Sequence, residues 1–377
     1  MGFSQALSGL NSAAKGLDVI SNNISNSQTV GFKSSTTRFA DVYAGAQGLG
    51  VKIAGVVQNF NSGPIETTGR PLDLAISGDG FFRFEQAGQV VYSRNGQLSL
   101  TPDGYLENAQ GARLLGRNGQ INIPSGGMAA GATSKVDVGM NFEAGSPVIT
   151  GAFDPTDTST YSYANTATVY DSLGTAHDMT MYFVKKGANE WEVHSTVDGN
   201  LATGTQTVKF TSSGTLDPTY ASSNFTFALT NGADNLDFSL NLAGSTQFGN
   251  KFEANSLFQD GYTSGSLAGF TINENGQVVA NYSNDRKTVI DQLQLASFRS
   301  PEGLRPMGDN LWTETTASGQ PLVGEAGTGQ LGSLLTGAVE GSNVDLTAEL
   351  VNLIIAQRNY QANAQSVKSQ SEVLENA

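Results

Sequence analysis

The apolar positions divide the chain into two periodic ends and a long middle of a different texture. At the start, Phe3, Leu10, Leu17 and Ile24 recur every seven residues, Ala6, Ala13 and Ile20 fall between them, and Leu7 flanks the stripe. At the finish, Leu346, Leu353, Tyr360, Val367 and Leu374 recur every seven, with Leu350, Gln357, Ala364 and Ser371 between them. Seven-residue spacing of this kind predicts helices whose apolar seams pack on other helices. Phe3, Leu7, Leu10, Leu17, Ile20, Ile24, Leu346, Leu350, Leu353, Tyr360, Val367 and Leu374 are therefore the candidate packing residues. Two helices of one ordinary domain give the same pattern. The absence of any third helix to complete a bundle favours packing between copies.

The first helix should stop near Asn26, where Asn22-Asn23 and Ser25-Asn26-Ser27 are poor helix formers and Gly31 follows. Gly9 and Gly16 lie inside it, each costing about 1 kcal/mol in a helix. Such a helix is marginal alone, so it is expected to be disordered in the monomer and to fold on packing. Whether the glycines permit close helix approach or are tolerated surface positions is open from the pattern. The second helix should begin near Ser342-Asn-Val-Asp345, with Asn343 or Asp345 as its cap and Glu349 in its first turn. Its pattern meets no stop signal before Ala377.

Between the helices the signals are strands and tight turns. Leu72-Asp-Leu-Ala-Ile76 runs into Gly78-Asp-Gly80 and Phe81-Phe-Arg-Phe84. Asn95-Gly96, between Val90-Val-Tyr92 and Leu98-Ser-Leu100, predicts a two-residue hairpin. From about Gly145 to Asp260 the chain turns richer in Thr, Ser and Asp, and the earlier style returns after Gly261. That shift predicts a second β-domain inserted in the first. The expected fold is mainly β with helical termini: two barrel- or sandwich-like domains, the outer inserted in the inner, plus paired terminal coiled-coil helices. The expected domains are 1–26 with 342–377 (helical), 27–71 (connecting), 72–143 with 261–341 (inner β) and 144–260 (outer β).

Composition then removes several functions. The chain has 377 residues, no cysteine and two histidines, which excludes disulfides and thiolate metal sites and nearly excludes imidazole ones. A net charge of −14 without a Lys/Arg cluster argues against nucleic acid. Charged residues are only 14%, a balance that suits an exported, extended β-protein. No apolar run reaches the length of a membrane span, so no membrane insertion is expected. The N-terminus lacks a basic region followed by an apolar core, so no cleaved signal peptide is expected either.

No catalytic constellation emerges. Gly327-Thr-Gly-Gln-Leu-Gly332 matches the dinucleotide fingerprint formally but lacks its strand–helix setting, and reads as turn glycines. Asp154-Pro-Thr-Asp157 and Asn273-Glu-Asn-Gly276 lack calcium-loop spacing. Glu190 and Glu192 share one strand face as solvated carboxylates would. No enzyme activity, cofactor or metal is expected.

The ends also carry a resemblance. Ser21-Asn-Asn-Ile-Ser-Asn-Ser-Gln-Thr-Val-Gly31-Phe-Lys-Ser34 resembles the signature of bacterial flagellar rod and hook axial proteins. Asn343-Val-Asp-Leu-Thr-Ala-Glu-Leu-Val-Asn352 and Ala356-Gln-Arg-Asn-Tyr-Gln-Ala-Asn363 resemble its C-terminal counterpart, and Leu72–Phe82 and Tyr92–Gly96 its inner β-domain. Within these motifs Asn23, Asn26, Gly31, Phe32, Lys33, Asn343, Asp345, Arg358, Asn359 and Tyr360 are the candidate family residues. Thr168–Met179, Tyr182–Lys185 and the length are similar to the hook members of that family.

The resemblance implies a structural subunit that polymerises with itself into a curved, flexible tube around an export channel and carries torque from rod to filament. It implies rod, hook-cap, hook–filament junction and type III export partners, and an extracellular place in the flagellum. The alternatives are a distal-rod or other axial protein and, further off, a secreted carbohydrate-binding β-protein.

Overall fold

The computed structural model describes the backbone of residues 3–44 and 47–375 and the side chains of 4–42 and 50–372. The chain divides into two compact units. The first comprises Met1–Ser125, Gly269–Asn281 and Lys287–Ala377; the second, Gly126–Ala268 and Tyr282–Arg286.

The first unit holds both terminal helices, α1 (Phe3–Ser25) and α2 (Leu346–Glu375), packed on each other. Strands β1 (Ser35–Ala44) and β2 (Gln47–Gln58) form an antiparallel ribbon that packs on α1. Ser8 Oγ accepts from Val51 N at 3.3 Å and Ser12 Oγ donates to Val51 O at 3.4 Å. Helix α1 is thus continuous despite its two glycines. The sequence led to the expectation of disorder, but the ribbon and α2 supply the neighbours that a marginal helix needs.

The β-core of this unit is a ten-stranded sheet that also pairs short strands from the far end of the sequence. Phe81–Gln86 lies between Gln89–Ser93 and Arg113–Gly116, and Gln294–Ser297 pairs with its start. An aromatic cluster of Phe60, Phe81, Phe298 and Trp312 packs edge to face, with centroids 5.5 to 6.1 Å apart. Trp312 Nε1 donates to Gln58 Oε1 at 2.7 Å, which fastens the end of β2 to this core.

Asn95-Gly96 does not make the expected hairpin. Gln89–Ser93 pairs with Phe81–Gln86, whereas Ser99–Leu100 pairs with Leu106–Glu107. Asn95 Oδ1 caps Gln97 N at 3.0 Å, and Leu74 N donates to Gly96 O at 2.9 Å. Pairing with a distant strand overrides the local turn preference.

The second unit is a β-sandwich. One sheet contains Tyr163–Tyr170, Ala176–Lys185, Glu190–Val197, Asn200–Leu201 and Gln206–Lys209, all antiparallel. The other is built around Lys135–Glu143, which pairs parallel with Leu236–Asn241 and Thr246–Phe248 and antiparallel with Glu253–Gln259. Alternation along Ala176–Lys185 sends Met179, Met181 and Phe183 into a core shared with Phe142, Trp191, Phe225 and Phe238. Neither sheet closes into a barrel among the described residues.

This unit is wider than the 144–260 insert drawn from composition. Strand 135–143 has its partners on both edges inside the insert, and Arg286 returns to lie over Tyr262 at 4.5 Å. Pairing, not residue texture, sets the boundary.

Candidate subunit interface

The motif residues of the two ends meet at one buried polar junction. At Gly31, φ is +70° and an added Cβ would sit 2.6 Å from Asn95 N, so only glycine fits. Gly31 N donates to Glu340 O at 2.7 Å. Two residues on, Lys33 Nζ donates to Glu340 Oε1 and to Asn61 O, both at 2.7 Å. Glu340 Oε1 also accepts from Gly63 N at 2.8 Å. Arg94 Nε lies 2.7 Å from Glu340 Oε2, near enough for strong attraction though not aligned as a hydrogen bond.

Lys33 and Glu340 are wholly buried. Burial pushes the Lys33 ammonium below its usual range, against the opposing pull of Glu340. Arg94 is held in turn by the carbonyls of Gly80 and Gly78, at 2.6 and 2.9 Å.

Asn343 completes the knot. Its Oδ1 accepts from Ser34 N at 2.8 Å, and its Nδ2 donates to Asn59 O and Asn61 O at 2.7 and 2.9 Å. Phe32 O accepts from Asn343 N at 3.4 Å. Asn23, buried at the end of α1, exchanges two bonds with Ser35, at 2.8 and 2.9 Å. Asn26 stays local, donating to Asn22 O and accepting from Thr29 Oγ1. Of the two proposed caps it is Asp345 that caps α2, accepting from Ala348 N at 3.0 Å. Asn343 is committed elsewhere.

The helix seam differs in part from the expected one. Leu10, Leu17, Ile20 and Ile24 are half-buried on α1, but Leu7 is exposed. On α2 the half-buried positions are Glu349, Leu353, Ala356, Asn363, Ala364, Ser366, Val367 and Gln370, most of them three or four apart. Leu350, Gln357 and Ser371 point away, and Leu346 and Tyr360 are exposed as well. Leu350, Val351, Leu353, Ile354 and Ile355 surround the helix and define no single stripe, so the apolar positions divide between the half-buried seam within the chain and an exposed face. Arg358 and Asn359 are exposed, and Asn359 borders a groove between α1, β1 and α2. Phe3 and Leu374 lie outside the residues whose side chains are described.

Gly9 faces α2: an added Cβ would lie 2.8 Å from Asn363 Oδ1. Close approach is therefore its role. Outward, α2 leaves Val351, Ile354 and Ile355 each about half exposed, at 52, 51 and 52%. Unpartnered apolar surface of this kind on a helix marks an interaction site.

Glu340 and Arg94 carry the junction; neither was a candidate residue, although Arg94 lies inside the Tyr92–Gly96 motif. Glu340 had left one signal, a lone carboxylate in the run Leu334–Gly341. The motifs weighed for chemistry have structural roles. Asp154 and Asp157 cap Thr156 and Ser159, Glu190 and Glu192 lie near Lys209 and Lys186, and Gly327–Gly332 connects two strands. Among the described residues no helix is long and apolar enough to cross a membrane.

Paired helical ends, a knot tying them to a β-core, and a second β-unit within the chain define a class, the axial proteins of the bacterial flagellum. Matching family models follow the same order: flagella basal body rod protein at residues 4–33, flagellar hook protein D1 domain at 75–141, flagellar basal body protein D2 domain at 139–262, and the rod protein C-terminal region at 335–377.

The chain is 45% identical to the flagellar hook protein FlgE of Escherichia coli (strain K12), covering 99% of this chain and 98% of that one. It is equally identical, with the same coverage, to that of Salmonella typhimurium. To the Rhizobium meliloti hook protein it is 32% identical over 98% of this chain and 96% of the relative. The chain belongs to the flagellar hook protein family. The crystal structure of Helicobacter pylori flagellar hook protein FlgE2 shares the fold, with a TM-score of 0.56 at 14% identity over 71% of this chain and 98% of that one.

Proposed function

We propose that this protein is the structural subunit of the flagellar hook, a non-catalytic component that polymerises with itself into a curved tube. The observation that carries the reading is the state of the two ends. They are paired as helices and locked to the β-core by Lys33, Glu340 and Asn343, yet they leave most of α2's described large apolar residues exposed. A subunit that keeps such surface is built to bury it against neighbours.

In the tube the terminal helices line the inner channel. Packed apolar helices supply torsional stiffness, while polar β-surfaces let neighbours slide as the tube bends. Rod, hook-cap and hook–filament junction proteins cap its ends, and type III export delivers the chain. Electron microscopy of concentrated protein tests the reading. Curved tubes of uniform diameter are expected; a protein that stays monomeric under all assembly conditions overturns it.

A further inference from the structure

The groove between α1, β1 and α2 has a volume of about 370 Å³ and an apolar lining that includes Val19, Ile20, Phe39, Ile355 and Ala356. Two polar atoms on its walls have no partner. Glu349 Oε2 and Thr37 Oγ1 are both buried without a hydrogen bond. A carboxylate oxygen left so in a hydrophobic groove is costly, and a cation brought in from outside would relieve it.

The complement lies on α2 itself, on the other side. Among the described residues the Arg358 side chain makes no hydrogen bond or ion pair, and it is exposed. It follows Val351 and Ile354 at spacings of seven and four, so the three share one outward stripe. Lys368, the other cation described on α2, has no such apolar flank. Arg358 lies nine positions after Glu349, which on a straight helix is about two and a half turns, so the two face opposite sides about 13 Å apart along the axis. The two side chains cannot meet within one copy.

We propose that the Val351–Ile354–Arg358 stripe of one copy enters this groove on a neighbouring copy, where Arg358 pairs with that copy's Glu349. The inference rests on self-assembly and names the residues that set its register. Val351 and Ile354 cover Phe39 and Ile20, and the guanidinium meets the unpaired carboxylate in a dehydrated setting, where charge complementarity fixes alignment.

Charge exchange is the test. Glu349→Arg and Arg358→Glu alone should each raise the concentration needed for tube assembly at least about tenfold, and the double variant, which restores the pair between copies, should return it to near wild type. Trp fluorescence checks that each variant keeps its β-units. As a second measurement, the chain has no cysteine, so copies carrying Glu349→Cys mixed with copies carrying Arg358→Cys should form disulfide-linked dimers inside the tubes. Single variants that assemble normally, a double variant without rescue, or tubes without cross-links overturn the pairing and leave the hook reading intact. Wild-type protein that never assembles overturns the hook reading, and the pairing with it.

Discussion

Replacing Glu340 by alanine removes the one carboxylate that serves two buried cations. Lys33 Nζ loses a partner at 2.7 Å, Gly63 N one at 2.8 Å, and Arg94 Nε a counter-charge at 2.7 Å. Lys33 keeps only Asn61 O, while Arg94 keeps the carbonyls of Gly78 and Gly80. Breaking a buried pair from one side costs about 3–5 kcal/mol, most of it from the charge left behind. Lys33→Met should be milder, under about 2 kcal/mol, because Glu340 keeps Arg94 and Gly63 and burial already disfavours the ammonium. The double variant should cost less than the two single costs combined.

Trp312 reports on this unit, since its indole touches Phe60 and Phe81 and bonds to Gln58. Urea unfolding followed by its fluorescence, in a Trp191→Phe background to silence the other indole, should show Glu340→Ala shifted down by about 1–2 M. A Glu340→Ala midpoint within error of the parent, or a Lys33→Met shift as large, would refute the account of the junction as a carboxylate shared between two cations.

Other consequences can be measured as directly. Leu10→Asp should leave both β-units folded by near-ultraviolet circular dichroism but abolish tubes in the electron microscope, because a charge enters the helix seam. Gly9→Val should lower helicity at 222 nm by separating α1 from α2, and Asn363→Ala in the same chain should restore much of it, since the obstruction is one side-chain tip. In the second unit His177 lies between Asp198 and Asp171, at 2.6 and 3.1 Å. Burial alone would lower the His177 pKa, but the two carboxylates outweigh it and raise it. Burial would likewise raise Asp171, yet bonds from His177, Asn231, Thr175 and Leu173 hold it at about 2, below its usual 3.8. The histidine's contribution is therefore complete below about pH 6.5 and lost as pH climbs through its raised value, while the aspartate's fades as pH falls from about 4 toward 2. Thermal melts followed at Trp191 should show both flanks, and His177→Gln should remove the alkaline one.

The sequence made the ends legible because a helix writes its period into consecutive residues. Leu10, Leu17 and Ile24 could be read without knowing what they touch. The junction could not. Lys33 stood in the family motif without a physical role until Glu340 and Arg94 were beside it, and nothing local shows that. Asn95-Gly96 failed for the opposite reason: its local turn signal is strong, but Leu74 and Phe82 claim the flanking strands. On α2 the pattern could not say which apolar residues face α1 and which stay exposed, since five of the six residues Leu350–Ile355 are apolar. Gly9 was undecidable from the pattern because its reason is the side chain of a residue at the other end of the chain.

Lys33 and Glu340 are 307 positions apart. Closing a loop of that length carries an entropy cost that grows as the logarithm of its size, about 5 kcal/mol before any constant term, so the contact forms only as part of a larger closure. The partner of Lys33 also follows the whole second unit in the sequence. The junction therefore acts as a completeness check: a chain cut between the second unit and Glu340 cannot tie Lys33 into the first unit.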